Sequence, residues 1–96
     1  MNQIRHGDVF LMRVPAPAGE APAVCEQEIV LAAGETTGHA HRIRGLLAQT
    51  RTDGAEEIVV ASPAPLSHED HGTIIVPPGW YEIRHQGTLL RERVRD

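Results

Sequence analysis

Two pairs of histidines are the residues of this sequence best suited to chemistry. His39 and His41 stand in Gly-His-Ala-His, and His68 and His71 stand in His-Glu-Asp-His. Imidazole is the commonest metal ligand in proteins, and several such donors suit Zn, Fe, Mn, Ni or Cu rather than Ca or Mg. The two motifs hold four of the six histidines of a 96-residue chain. We therefore predict that these four side chains bind one divalent transition metal.

The spacing within each pair decides how its two rings can meet. Alternate side chains of a β-strand share a face, so His39 and His41 project the same way, with Cα atoms about 6.5 Å apart. The second pair needs a turn, because three residues along a regular strand place side chains on opposite faces. A two-residue hairpin turn at Glu69-Asp70, a bulge or one helical turn would each bring His68 and His71 together. The turn carboxylates are then available as a further ligand or as acceptors that fix imidazole tautomers.

The other two histidines are predicted to lie outside this site. His6 stands in Arg-His-Gly-Asp before the first predicted strand, and His85 lies near the end of a later strand. We interpret both as surface or hydrogen-bonded histidines without a ligand role.

The elements that must position the histidines are short β-strands. Apolar and β-branched runs alternate with Gly and Pro, and no long stretch has helical period. The predicted strands are 8–14, 28–33, 38–44, 46–51, 57–61, 64–68, 73–76 and 80–86. Between them, 15–22 is an extended loop, Gly45 and 52–54 are turns, and 89–96 is a last strand or a short helix. About eight strands at regular spacing predict an all-β antiparallel barrel or sandwich with little helix, because closure removes exposed sheet edges.

Length and charge limit the classes of protein to consider. A chain of 96 residues predicts one domain spanning residues 1–96, because little remains for a second core. The formal charge is −4, and the nine arginines are spread among thirteen carboxylates. That distribution argues against a nucleic-acid-binding domain, which usually carries a basic stripe. Only the arginine-rich end, residues 91–95, leaves a local contact open.

The same composition predicts a cytoplasmic protein. No run approaches the ~18 apolar residues of a membrane span, and charged residues occupy the N-terminus where a signal peptide is apolar. Cys25 is the single cysteine, so the chain forms no internal disulfide, in agreement with a reducing compartment.

Two segments together resemble the two motifs of the cupin family. They are Gly34-Glu-Thr-Thr-Gly-His-Ala-His41 and Gly72-Thr-Ile-Ile-Val-Pro-Pro-Gly-Trp-Tyr-Glu82, and the resemblance covers roughly residues 34–85. In cupins the first motif supplies His-x-His and a later Glu, and the second supplies a His. The resemblance implies a small jelly-roll barrel of six to eight strands with a metal in its mouth, commonly as a homodimer.

This chain departs from that pattern at three points. Arg42, Ile43 and Arg44 follow His41 where a Glu is expected, Glu82 replaces the second-motif histidine, and His-Glu-Asp-His has no counterpart. The chain is also similar to a group of small uncharacterised bacterial proteins. They share its Gly-His-x-His, His-Glu-x-His and Pro-Pro-Gly-x-Tyr-Glu elements.

The strand after Pro77-Pro78-Gly79 offers candidates for substrate contact. Trp80, Glu82 and Arg84 share one face, and Tyr81, Ile83 and His85 the other. If the first face lines a cavity, Glu82 becomes a candidate general base, and Arg84 and Trp80 become candidate substrate-binding residues. The alternative is that the apolar members anchor the core and the charged members face solvent.

Three functions are compatible with these features. The first is a cupin-like metal-dependent enzyme acting on a small polar molecule, with Glu69 or Glu82 transferring protons. The second is a non-catalytic accessory or interaction domain that a bound metal stabilises. The third is a plain β-domain that binds a protein or a nucleotide, in which the histidines have no joint role.

Overall fold

The structure, a computed structural model, describes residues 3–19, 21–33 and 39–85. Over these residues the chain forms eight strands and no helix. They are β1 (Gln3–His6), β2 (Val9–Arg13), β3 (Cys25–Ala33), β4 (Ala40–Thr52), β5 (Ala55–Val60), β6 (Ala64–His68), β7 (Gly72–Val76) and β8 (Gly79–His85). The predicted all-β fold with little helix is confirmed. The segment 89–96 lies outside the described residues, and the single domain stays a prediction.

All strand pairs are antiparallel, in the order β1-β2-β8-β5-β4-β6-β7, and β3 also pairs with β4. Leu47 of β4 pairs with both β3 and β5, and Arg42 of β4 pairs with both β3 and β6. Strands β5 and β6 therefore follow each other along one edge of β4, opposite β3. The ends of the strand order also meet, because His6 Nε2 of β1 lies 3.0 Å from the Gly72 carbonyl of β7. The result is a nearly closed barrel.

Alternation along the strands builds the barrel interior. The largest fully buried side chains are Val9, Leu11, Ile43, Leu47, Ile58, Val60, Leu66, Val76 and Tyr81. The Tyr81 hydroxyl donates to the Pro77 carbonyl at 2.7 Å and accepts from Arg13 Nη2 at 3.0 Å, so its burial leaves no unpaired polar atom. The interior is thus apolar except at the end where His6 and His41 lie.

The prediction that Gly45 is a turn is wrong. Strand β4 runs for 13 residues straight through it, with Gly45 paired to Gln27 of β3. A Cβ built on Gly45 would lie 3.3 Å from the Ala64 Cβ. The glycine therefore serves close packing between β4 and the start of β6 rather than a change of chain direction.

Two hairpin turns of two residues each join neighbouring strands, and the sequence predicted one of them. Asp53 and Gly54 join β4 to β5 with φ of 52° and 83°, which is the type I′ pattern of an Asp-Gly turn, and this prediction is confirmed. Gly7 and Asp8 join β1 to β2, with His6 opposite Val9 and φ of 62° at Gly7. Strand β1 was not predicted from the sequence.

No helix formed by the described residues has the length and apolar character needed to cross a membrane.

Candidate metal centre

Five histidines from three parts of the chain converge at one end of the barrel. They are His6 at the end of β1, His39 and His41 at the start of β4, and His68 and His71 at the β6–β7 turn. The ring centroids of His41 and His68 are 4.3 Å apart, and those of His68 and His71 are 4.6 Å apart. His39 lies 5.8 Å from His68, and His6 lies 5.0 Å from His41. All four histidines predicted as ligands are therefore brought together.

The β6–β7 turn decides how the second pair of rings meets. His68 pairs with Gly72, so the turn consists of the three residues 69–71 rather than the two that a His68-to-His71 pairing would need. Gly72, the first residue of β7, adopts φ of 74°, a left-handed conformation that glycine reaches without steric cost. His71 is consequently a turn residue, and its ring still falls on the same side as that of His68.

Three of the rings have the spacing of a metal site. One ring nitrogen from each of His41, His68 and His71 lies within 4.8 Å of the others. In a tetrahedral zinc site with bonds of about 2.0–2.1 Å, ligand nitrogens are roughly 3.3 Å apart, so small side-chain shifts suffice. His41 is 5% exposed, whereas His71 is exposed to solvent. The group therefore extends from the barrel interior to the surface.

A second group of possible ligands shares one ring with the first. His39, His68 and Glu69 also offer donor atoms within 4.8 Å of one another. The Nδ1 atom of His39 lies 2.8 Å from Asp70 Oδ2, and an ionised carboxylate only accepts. That contact places the proton of the neutral His39 ring on Nδ1, as carboxylate acceptors do for many metal-binding histidines.

His68 is the ring that must change its hydrogen bonding if a metal binds. Its Nδ1 accepts from the Asp70 backbone N–H at 3.0 Å, so the neutral ring carries its proton on Nε2. Ligation through Nδ1 displaces that N–H, and ligation through Nε2 moves the proton to Nδ1. In either case the neutral ring loses the Asp70 hydrogen bond on binding.

Glu69 is held as an acceptor rather than poised for proton transfer. Its Oε1 accepts from the Ala40 N–H at 2.9 Å and its Oε2 accepts from Arg42 Nη1 at 2.8 Å. These hydrogen bonds, that to Ala40 first, lower the pKa of Glu69 to about 2. A carboxylate that stays ionised at neutral pH is a weak general base. The predicted catalytic role of Glu69 stays a prediction, and the observed contacts tie the β6–β7 turn to β4.

The charged candidates on β8 lie on the face opposite its buried side chains. Glu82 accepts twice from Arg84, at 2.8 and 3.3 Å, on the face of β8 opposite the buried Tyr81 and Ile83. The condition for their substrate role was that this face lines the cavity, and the buried face is the other one. Trp80 is half-buried beside Val59 of β5. The catalytic role of Glu82 and the substrate roles of Arg84 and Trp80 stay predictions that this geometry does not support.

Described residues elsewhere on the barrel line two surface pockets. One is lined by Glu28, Arg42, Arg44, Pro65, Ser67 and Thr73, and the other by Gln49, Thr50, Arg51 and Glu56. Neither is lined by a histidine or by Glu82, so neither places a bound molecule beside the cluster.

The prediction that His6 lies outside the site is wrong. His6 is 4% exposed, and its Nδ1 lies 2.9 Å from the Nδ1 of His41. A signal for this placement was present in Gly7-Asp8, a two-residue hairpin turn that puts His6 opposite Val9 on the inward face. His85 lies opposite Val9 on β8, and in the described part of the chain it makes no ring contact with the other five histidines.

Burial and crowding lower the pKa of His41. Desolvation is the largest cause, followed by the like charges of His68, His6 and His71, and together they move the pKa from 6.5 to about 4, although Asp8 opposes the shift. Above pH 6.5 the ring is neutral in both the folded and unfolded states. Below pH 6.5 the unfolded chain binds a proton at His41 and the folded chain does not. Protonation therefore stabilises the unfolded state relative to the folded state.

We therefore expect the metal-free protein to lose stability between pH 6.5 and about 4. The loss from His41 alone is about 3 kcal/mol over that window. Urea unfolding in the presence of a chelator at half-unit steps of pH measures it. Glu69, whose pKa is 4.5 in the unfolded state and about 2 in the folded state, adds to the loss only below about pH 5, so the test uses the range above that value. A free energy of unfolding that is flat from pH 6.5 to 5 would contradict the expectation.

The fold and the site together define a class, a nearly closed antiparallel β-barrel with a histidine cluster whose geometry can hold a metal ion. The chain belongs to the family described as Domain of unknown function (DUF8820), whose model matches residues 5–86. All six histidines lie within the matched residues. No curated protein and no solved structure matches the chain.

Proposed function

We propose that this protein binds one divalent transition metal ion through His41, His68 and His71. The observation that carries the proposal is the convergence of their ring nitrogens to within 4.8 Å from two separate segments of the sheet. Burial first, and the neighbouring rings second, lower the pKa of His41 and disfavour its protonated form. A metal ion removes that penalty, because it binds the neutral rings through their lone pairs.

The donor set supports the class of metal. Imidazole nitrogens suit Zn, Fe, Mn, Ni and Cu, and an all-oxygen site for Ca or Mg would need carboxylates and carbonyls instead. The sharing of His68 between the two groups supports one ion per chain, because one neutral ring gives one lone pair to one metal. His39 is the candidate for a fourth ligand through its Nε2.

The role that best fits the geometry is stabilisation of a small cupin-like barrel. A metal bound to these rings would tie β4 to the β6–β7 turn, and His6 links the same region to β1. The free energy of binding such a metal adds to the stability of the folded state, which matters for a domain with a limited core.

A metal-dependent enzyme acting on a small polar molecule is the second candidate. The observation in its favour is the exposure of His71, which leaves the outer side of a three-nitrogen site facing solvent. A metal with three protein ligands and one open position can polarise a substrate or activate water.

Elemental analysis and thermal unfolding of protein prepared without a histidine tag test the proposal. We expect about one ion per chain, and a rise in melting temperature of roughly 10–20 °C when free metal is 100 times its Kd. No stoichiometric metal together with an unchanged melting temperature would refute it. In the cobalt-loaded protein, a visible spectrum that changes on adding azide favours the enzyme, and one that does not change favours stabilisation.

A further inference from the structure

The contact between His6 and His41 lies inside the barrel. The two residues are 4% and 5% exposed, and their Nδ1 atoms are 2.9 Å apart. The other nitrogen of His6, Nε2, lies 3.0 Å from the carbonyl oxygen of Gly72. The contact between the two rings is buried, and the contact with Gly72 is partly buried.

The positions of the protons follow by elimination. A backbone carbonyl only accepts, so the Nε2 of His6 must be the donor to Gly72. A neutral imidazole carries one proton, which leaves the Nδ1 of His6 as an acceptor. The short contact between the two Nδ1 atoms is then a hydrogen bond only if His41 donates, and this leaves Nε2 of His41 as a bare lone pair.

We propose that His6 is a positioning residue that, anchored by the Gly72 carbonyl, holds His41 in the Nδ1–H tautomer and so presents its Nε2 to the metal. The role toward a metal rests on the proposed function, whereas the tautomer assignment stands without it. In the opposite tautomer of His41, two lone pairs would face each other at 2.9 Å in a buried site. That arrangement loses a hydrogen bond and leaves two buried acceptors unpaired, which disfavours it.

His39, just before β4, and His41, in β4, are oriented in the same way by different hydrogen-bond acceptors. His39 donates from Nδ1 to the Asp70 carboxylate at the surface, and His41 donates from Nδ1 to the ring of His6 in the interior. In the neutral ring of each, the lone pair is then on Nε2. A neutral acceptor is suited to the buried position, because a carboxylate there would be a desolvated charge.

The anchor also links the segments that carry the ligands. Gly72 directly follows His71 and pairs with His68, so the hydrogen bonds run from the β6–β7 hairpin through His6 of β1 to His41 of β4. A change at His6 therefore affects His41 without replacing any proposed ligand.

Two substitutions separate this role from simple packing. His6→Leu removes both hydrogen bonds, whereas His6→Asn keeps an acceptor near the position of Nδ1 and is too short to reach Gly72. Both variants lose the link to Gly72, so a purely structural role predicts the same metal affinity for the two. We expect His6→Leu to lower metal affinity about 10–100-fold, the usual effect of removing such a partner, and His6→Asn to restore most of it. His85→Leu is the matched control and should bind as the unchanged protein does.

Nitrogen-15 NMR of the histidine rings in the metal-free, unsubstituted protein reads the tautomer directly. We expect His41 to be protonated at Nδ1 and His6 at Nε2, and His6→Leu to abolish the single tautomer of His41. Protonation of His41 at Nε2, or equal affinities for His6→Leu and His6→Asn, would overturn the inference. If the unsubstituted protein binds no metal, the proposed function fails, and the NMR result still decides the tautomer.

Discussion

His41→Ala is expected to abolish the metal-dependent rise in melting temperature. The substitution removes the buried member of the three-histidine group and the donor that pairs with His6. Loss of partners that only orient a ligand already costs about 10–100-fold in metal affinity, so loss of the ligand itself should exceed about 100-fold. The metal-free protein should also lose about 1–3 kcal/mol of stability, because the buried Nδ1 of His6 is left without a donor.

Alanine variants of two other histidines are the controls for this result. Thermal unfolding with and without saturating metal is measured for His41→Ala, His85→Ala and His39→Ala. We expect His85→Ala to retain the full rise, and His39→Ala to retain part of it because His39 is outside the three-histidine group. A full rise in His41→Ala would contradict the assignment, and loss of the rise in His39→Ala alone would move the site to the outer group.

Gly7→Ala is expected to disrupt the metal site from a residue that is not a ligand. A Cβ at Gly7 would lie 2.8 Å from Cδ2 and Nε2 of His71 and 2.9 Å from Cε1 of His41. The exposed His71 ring can swing away from the methyl group, whereas the buried His41 ring is held by His6. The expected result is loss of most of the metal-dependent rise, with destabilisation of the metal-free protein by about 1–3 kcal/mol.

Gly54→Ala is the control for backbone strain. Gly54 also lies in a two-residue hairpin turn at positive φ, 83°, but a Cβ there meets no atom within 4 Å. We expect a similar strain cost of about 1 kcal/mol and an unchanged response to metal. Equal metal responses of the two variants would show that the contact of Gly7 with the rings is unimportant.

The turn chemistry shows how far local patterns carry toward the site. Asp53-Gly54 was predicted as a hairpin turn and is one, because its two positive φ angles are a local property of those residues. Gly45 has the same local flexibility and is not a turn. Strand β4 is held extended through it, because β3 pairs with one edge of β4 and β5 and β6 pair with the other. A glycine alone does not distinguish the two outcomes.

The β8 strand shows the same limit for the site residues. Alternation predicted correctly that Glu82 and Arg84 share one face and that Tyr81 and Ile83 share the other. It did not determine which face is inside. The inner face is the one that packs against the other strands, and it carries Tyr81 and Ile83. That choice depends on strand pairing across the whole sheet, which separates Glu82 from the histidines.

The sequence by itself determined the β-architecture, because punctuation by Gly and Pro is local, and it predicted a shared face for His39 and His41 from the two-residue period of a strand. It predicted a turn between His68 and His71 without deciding the type of turn. Only the tertiary structure brought His68 and His71 to His41 and inserted His6, which is 35 positions away from it. The physical reason is that these contacts form where β1 meets β7 as the sheet nearly closes, and closure depends on the register of every strand between them.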